Sequence, residues 1–296
     1  MALHDRSAQT GAYLRMLLAR PGGPRSIWER YAPGTRPAVI DPVAVGEVLR
    51  AHAPANAQTA TLVREALNGD GVTPDTLDLF VDAFDLGPRH AGRLHNLLNG
   101  SNSVRVISGT ELVDLPRQVA APNYDTIALH EMHTLGPDGV PAEHQTIQVI
   151  KSTVDSLETY PYRFDTDELA VEVVRGGHVG DVYRISPSLY GVDIVLDQPL
   201  PAGETALMHY RTTFGYRTPP PPEFRRGVLG TTTDVTLWVQ FHPGRLPARV
   251  WLGRWDRLDH ATILDEQEVE LDAEFSVQAR YDRVEAAIVG FHWAWE

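Results

Sequence analysis

The sequence of 296 residues contains no cysteine, which excludes disulfide bonds, thiolate metal ligands and cysteine nucleophiles. It has no uninterrupted apolar run of the ~18 residues that a membrane-spanning helix needs. It also lacks the Gly-x-Ser-x-Gly, phosphate-loop and dinucleotide-binding glycine patterns. We therefore expect a cytoplasmic protein with no membrane contact and no organic cofactor, and no residue qualifies as a catalytic candidate.

Lysine is almost missing as well, since Lys151 is the single example in the chain. Residues 1–100 balance ten arginines against ten acidic residues, so the formal net charge of -13 comes entirely from the C-terminal part. A strongly acidic domain repels nucleic acids and anionic lipids. The charge therefore disfavours DNA as a partner and gives no support to binding at a membrane surface.

The first hundred residues show apolar positions at helical spacing. Asp41-Pro42 and Thr73-Pro74 are typical helix starts, while Asn68-Gly69 and Asn99-Gly100 are typical helix ends. This pattern predicts a small all-α domain over residues 1–100. Residues 101–122 show few helical signals and are interpreted as a linker that includes a short strand near Val104–Ile107.

Within that helical region, residues 59–98 resemble the later helices of lambda-repressor-type, or XRE-like, helix-turn-helix domains. The resemblance implies that the helix before Asn68-Gly69 is a recognition helix, with Arg64 contacting DNA. The chain departs from the pattern where Ala53-Pro54-Ala55-Asn56 replaces an expected helix. Arg64 is also the only basic residue on the implied recognition helix, and the acidic residue Glu65 follows it. The alternative is a helical interaction or dimerisation module without a DNA surface.

The rest of the chain, including the stretch Phe224-Arg225-Arg226-Gly227, resembles uncharacterised actinobacterial proteins that combine such an N-terminal region with a C-terminal β domain. Residues 234–242 and 268–281 alternate between apolar and polar positions with a period of two, as half-buried strands do. The chain does not alternate strands with helices, so a doubly wound sheet is not expected. We predict an α+β multidomain chain in which an immunoglobulin-like antiparallel sandwich over residues 123–296 follows the helix-turn-helix-like domain.

The densest histidine cluster comprises His130, His133 and His144. Three imidazoles form zinc sites, and Glu131 offers a carboxylate beside them. On a strand His130 and His133 point to opposite faces, but a turn at Gly136-Pro137-Asp138-Gly139 brings His144 opposite one of the two. The cluster is therefore a candidate metal site, with paired polar residues across a hairpin as the alternative.

Trp238 lies out of phase with the apolar residues of its own strand. A large aromatic side chain on a solvent-facing position is typical of a binding surface. Arg249 and Trp251 follow on the next strand, and an arginine stacked on an indole is a favourable arrangement. We therefore predict a binding patch formed by Trp238, Arg249 and Trp251.

These features favour a non-enzymatic regulatory or adaptor protein. Its helical domain would contact a protein partner or DNA, and its β domain would bind a protein or a small ligand. One alternative is a metal-dependent enzyme that uses His130, His133 and His144. A second alternative is a self-assembling structural protein or homo-oligomer whose sheet edges pair.

Overall fold

The computed structural model describes residues 3–32, 39–53, 60–108, 122–166, 168–186, 189–216, 219–228, 230–258 and 261–296. The chain forms two compact units. Unit 1 comprises Met1–Leu112, Thr166–Val171 and Gly215–Arg217, and unit 2 comprises Val113–Asp165, Glu172–Phe214 and Thr218–Glu296. No helix in the described part of the chain is long and apolar enough to cross a membrane.

In the part of unit 1 that the structure describes, there are six α-helices and a short strand. The elements are α1 Leu3–Ala19, α2 Pro24–Trp28, a 3-10 turn at Glu29–Tyr31, α3 Pro42–His52, α4 Ala60–Asn68, α5 Pro74–Phe84, α6 Gly87–Leu98 and β1 Val104–Ser108. Two helix starts follow the sequence closely, because Asp41 accepts hydrogen bonds from the Val43 and Ala44 amides and Thr73 accepts one from Thr76. Aromatic and leucine side chains from these helices, among them the buried Trp28, form one apolar core.

Unit 2 is built from β-strands. They are β2 Tyr124–Leu135, β3 Pro141–Ser152, β4 Leu157–Phe164, β5 Glu168–Arg175, β6 Gly177–Ser186, β7 Leu189–Leu200, β8 Thr205–Phe214, β9 Glu223–Gly227, β10 Thr231–Gln240, β11 Arg249–Trp255, β12 Ile263–Val269, β13 Ser276–Glu285 and β14 Ile288–Ala294. Strand β5 begins in unit 1 and ends in unit 2.

The strands are arranged in three sheets. A seven-stranded sheet has the order β1-β5-β8-β3-β2-β10-β13, a four-stranded sheet has the order β12-β11-β14-β9, and a three-stranded sheet has the order β4-β7-β6. The pairs β2–β3, β3–β8 and β10–β13 are antiparallel, whereas β2 and β10 run parallel, with Leu237 opposite Glu131. A parallel pair requires a long crossover, which the roughly one hundred residues between these strands supply.

Apolar side chains from the seven-stranded and four-stranded sheets pack together in one core. Leu237 and Val239 of β10 contribute from one side, and Val250, Phe291 and Trp293 from the other. Alternate residues on the same strands therefore face outward, which defines an outer face for each of the two sheets.

The predicted fold class is wrong. The chain is 47% strand and 25% helix, and its strands form three sheets instead of a single immunoglobulin-like sandwich. The seven-stranded sheet contains a parallel pair, so it is not purely antiparallel. The N-terminal unit is not an all-α domain either. It includes β1, whose Val106 exchanges two hydrogen bonds with the side chain of Gln9, and the segment Thr166–Val171 from much later in the sequence.

Sequence patterns missed this arrangement because alternation reveals which face of a strand is buried but not which strand lies beside it. The predicted domain limits of 1–100 and 123–296 remain a prediction. Of the predicted linker at 101–122, residues 104–108 form β1, and residues 109–121 lie outside the described residues.

Candidate functional site

A buried group of polar side chains lies where strands from all three sheets meet. Strand β2 supplies Glu131 and His133, β3 supplies His144, and β9 of the four-stranded sheet supplies Arg226. Three tyrosines complete the group: Tyr160 and Tyr162 from β4 of the three-stranded sheet, and Tyr210 from β8. We call these seven residues the polar centre. Polar side chains persist at such a position only when they are paired or serve a specific purpose.

Glu131 and Arg226 form the ionic core of the polar centre. Arg226 Nη1 donates to Glu131 Oε1 at 2.9 Å, and the glutamate side chain is only 1% exposed. Burial alone would raise the pKa of Glu131, but the Arg226 guanidinium and hydrogen bonds from His144 and Thr146 outweigh it and lower that pKa to about 2. Although its own burial opposes the charge, Arg226 has a raised pKa because Glu131 stabilises it. Both groups are therefore ionised at neutral pH.

His133 and His144 face each other across the β2–β3 pair, with ring centroids 5.6 Å apart. The His144 Nε2 atom lies 3.2 Å from Thr146 Oγ1 and 3.5 Å from Glu131 Oε1. The His133 ring stacks on Phe224 at 4.9 Å, and neither of its nitrogens has a hydrogen-bond partner among the described residues. A buried imidazole with no partner is costly, so His133 is the most poorly satisfied member of the polar centre.

The tyrosines contribute hydroxyl groups to the polar centre. Tyr162 accepts a hydrogen bond from Thr212 Oγ1 at 3.0 Å, and the hydroxyls of Tyr160 and Tyr210 lie 3.5 Å apart. Burial raises the pKa of Tyr162 and of Tyr210, so both remain protonated. The arrangement holds one ion pair and two imidazoles in a closed, aromatic environment.

The three predicted metal ligands are only partly brought together. His133 and His144 share the inner face of the sheet, whereas His130 points to the outer face, where its Nε2 lies 3.6 Å from Asp234 Oδ2. Within the described residues, no group of three histidine or acidic side chains converges as a metal site. Glu131 takes the third position on the inner face, but its carboxylate is already paired with Arg226.

The polar centre predicts a pH dependence of stability. Burial and the neighbouring His144 lower the pKa of His133 to about 3, from about 6.5 in an unfolded chain. The unfolded state therefore binds a proton that the folded state does not, and the free energy of unfolding falls as pH drops from 6.5 toward 3. The slope for one such group reaches about 1.4 kcal/mol per pH unit.

We expect the variant His133→Phe to lose less stability than the wild type between pH 7 and pH 5. Urea unfolding at both pH values measures the difference. The control variant His130→Phe alters an exposed histidine on the same strand and should retain the wild-type slope. Equal slopes for wild type and His133→Phe would contradict the expectation.

The three residues of the predicted binding patch do not form one patch. Trp238 lies on the outer face of the seven-stranded sheet, opposite Met132 and Gln278 in the strand register. Arg249 and Trp251 lie on the outer face of the four-stranded sheet. These two faces are on opposite sides of the shared apolar core, so they are separate surfaces.

Arg249 and Trp251 belong to a ladder of stacked side chains. The Arg249 guanidinium lies 4.7 Å from the centre of the Trp251 ring, and Trp251 stacks on His292 at 4.9 Å. Trp255 meets His292 edge-on at 5.9 Å, and Arg225 lies 5.9 Å from the Trp255 ring. Arg249 is also paired with Glu268. Because its members satisfy one another, the ladder is a stabilising feature of this sheet.

The outer face of the seven-stranded sheet is different. Trp238 is half-buried, and its indole nitrogen is shielded from solvent without a hydrogen-bond acceptor in the described part of the chain. Neighbouring strands place Met132, Ile147 and Val149 on the same face, and Leu207 there is 41% exposed. We call this surface the Trp238 face. It combines partly exposed apolar residues with a tryptophan whose hydrogen-bonding capacity is unmet.

In unit 1, the DNA-binding candidate Arg64 is exposed on α4, and so is Glu65 beside it. The residues 54–59 that precede this helix, including most of the atypical Ala53-Pro54-Ala55-Asn56 segment, lie outside the described residues. A contact between Arg64 and DNA stays a prediction.

Sequence reasoning missed the pairing of Glu131 with Arg226. The two residues are 95 positions apart, and no local pattern links them. One signal was present, because Glu131 alternates in phase with His133 and with the buried Leu129. A carboxylate at an inward position of a strand requires a cationic or hydrogen-bonding partner.

Comparisons with known proteins give little guidance. No protein-family model matches the chain, and no curated protein matches it. Among solved structures, a candidate protease from Parabacteroides distasonis is similar over 58% of this chain, with 11% identity and a TM-score of 0.37. A mutant M1 zinc metallopeptidase from Deinococcus radiodurans, bound to a Tyr-Ser-Ala substrate, is similar over 57%, with 13% identity and a TM-score of 0.26. The chain spans 41% and 42% of those two chains, and likeness at this level carries no argument about function.

Proposed function

We propose that this chain is a non-enzymatic regulatory or adaptor protein that docks another protein on the Trp238 face of its β unit. The observation that carries the proposal is Trp238 itself. It lies outside the apolar core, and no acceptor among the described residues satisfies its indole N–H. A tryptophan in that position costs free energy in an isolated chain and is a frequent anchor of protein interfaces.

The surroundings of Trp238 support a protein partner. Apolar residues of the face are interleaved with polar ones: Gln278 lies opposite Trp238 in the strand register, and Gln145 lies opposite Met132. Charged residues lie farther out, where Arg280 is within 3.5 Å of Asp234. An apolar middle with aromatic and methionine side chains and a polar rim is the usual composition of a protein interface.

Photo-crosslinking in the cells that produce the protein tests this function. A photoreactive amino acid at position 132, next to Trp238 in the register, should crosslink a discrete protein. The same amino acid at position 251, on the opposite outer face, is the control and should give no such product. The Trp238→Ala change should abolish the product at position 132. Labelling at position 251 alone, or labelling at 132 that survives Trp238→Ala, would contradict the proposal.

The polar centre is a weaker candidate for function. Six of its seven residues are buried and Arg226 is half-buried, and the described residues offer no converging metal ligands there. Its ion pair and stacked imidazole instead connect the seven-stranded sheet to the four-stranded sheet, and its tyrosines connect the seven-stranded sheet to the three-stranded sheet, which supports a structural role beneath the docking face.

A further inference from the structure

We propose that the partner on the Trp238 face is a second copy of this chain, related by a two-fold axis that lies in the plane of the face. This inference rests on the proposed docking function and names its occupant. A two-fold interface requires a surface that is complementary to itself, so that each end of the face meets the other end in the second copy. The charges and dimensions of the face meet that requirement.

The middle of the face carries a strip of apolar side chains. In the strand register, Trp238 lies beside Met132, and the next strand places Ile147 and Val149 on the same side. Leu207 of β8 continues this strip opposite Val149. Two such strips packed against each other would remove apolar side chains of both copies from water, which favours association.

Charged residues occupy the two lateral ends of the face in opposite-sign pairs. At the β8 end, Arg211 Nη1 lies 3.8 Å from Glu172 Oε2. At the β13 end, Arg280 Nη2 lies 3.5 Å from Asp234 Oδ1. A two-fold axis parallel to the strands brings the β8 end of one copy against the β13 end of the other. Each arginine can then meet a carboxylate of the second copy, which is charge complementarity between identical surfaces.

The balance of charge on the face favours a copy of the same acidic chain. The whole chain has a formal net charge of -13, so two copies repel each other over most of their surfaces. The two ionic ends of the Trp238 face each pair one arginine with one carboxylate, and together they are neutral. These paired ends therefore do not add to the repulsion that the rest of the β unit's acidic surface would impose on a second copy.

The size of the face is adequate for a dimer. Strands β13, β10, β2, β3 and β8 lie side by side, and neighbouring strands are about 4.8 Å apart. Outward-facing residues along one strand are about 6.7 Å apart. Four such positions on each of the five strands give a flat area on the order of 650 Å² per copy. Accessible area exceeds flat area, so the face approaches the roughly 800 Å² per partner of a specific interface.

Sedimentation equilibrium of the purified full chain, from low to high micromolar concentration, tests the inference. We expect the wild type to form a dimer and Trp238→Ala to remain monomeric over the same range, a shift in the dissociation constant of at least about tenfold. Trp251→Ala changes a tryptophan on the opposite outer face and should dimerise like the wild type. Met132→Glu is a second variant, which introduces a charge at the middle of the face without removing the indole.

The melting temperature of each variant establishes that it is folded. A folded Trp238→Ala or Met132→Glu chain that dimerises like the wild type would overturn the inference. A wild-type chain that stays monomeric throughout would also overturn it, while the crosslink at position 132 would still decide the docking function separately. If Trp251→Ala disrupts a dimer that Trp238→Ala leaves intact, the docking face and its occupant are both wrong.

Discussion

Replacing Gly11 with alanine is expected to destabilise unit 1 by about 2 to 3 kcal/mol, although the change adds a single methyl group. A Cβ atom at Gly11 would lie 2.5 Å from the Gly69 nitrogen and 2.8 Å from the Leu67 carbonyl oxygen. Both are backbone atoms at the end of α4, so no side-chain rotation relieves the clash. Helices α1 and α4 would have to move apart and open the core between them.

The same reasoning provides a control within unit 1. Gly92 lies in α6, and a Cβ atom there would meet nothing within 4 Å. Gly92→Ala should therefore stabilise the unit by up to about 1 kcal/mol, because alanine is a better helix former than glycine. Urea unfolding followed by helical circular dichroism at 222 nm measures both variants, since the described helices all belong to unit 1. Equal unfolding midpoints for Gly11→Ala and the wild type would show that α1 and α4 do not pack this closely.

Local chemistry made several elements predictable from the sequence. The Asp41-Pro42 and Thr73-Pro74 starts correspond to caps whose side chains accept backbone hydrogen bonds. The out-of-phase position of Trp238 correctly indicated a side chain outside the core, because alternation along one strand depends only on that strand. In both cases the determining interactions lie within a few residues of each other.

Features that depend on distant residues were not predictable. Residues 268–281 look like one alternating strand, but the chain turns at Asp272, whose carboxylate accepts hydrogen bonds from the Glu274 and Ser276 amides. Phe275 takes a left-handed conformation there, with φ of 62°. The parallel pairing of β2 with β10 leaves no local pattern either. For the candidate site, the sequence indicated the individual residues but not that Trp238 and Trp251 lie on opposite sides of one core.

The ion pair between Glu131 and Arg226 gives the largest expected effect in unit 2. Removing the cation with Arg226→Met leaves a buried carboxylate without its partner, which costs about 3 to 5 kcal/mol. Its pKa would then rise from about 2 toward or above its ordinary value, since burial would no longer be opposed by the guanidinium. The stability that the wild type derives from a depressed glutamate pKa is present above about pH 4.5 and is lost as pH falls toward 2. Arg226→Met should lack this transition.

The double variant Glu131→Leu with Arg226→Met distinguishes a costly unpaired charge from a strongly stabilising pair. Because it removes both charges from a site that is otherwise aromatic, we expect it to recover most of the loss seen in Arg226→Met. Urea unfolding of the wild type, both single variants and the double variant completes a mutant cycle. Arg283→Met, which breaks an exposed pair with Glu285, is the matched control and should change stability little. If the double variant is as unstable as Arg226→Met, the hydrogen bonds that Glu131 accepts from Thr146 and His144 within the seven-stranded sheet contribute as much stability as removal of its unpaired charge recovers.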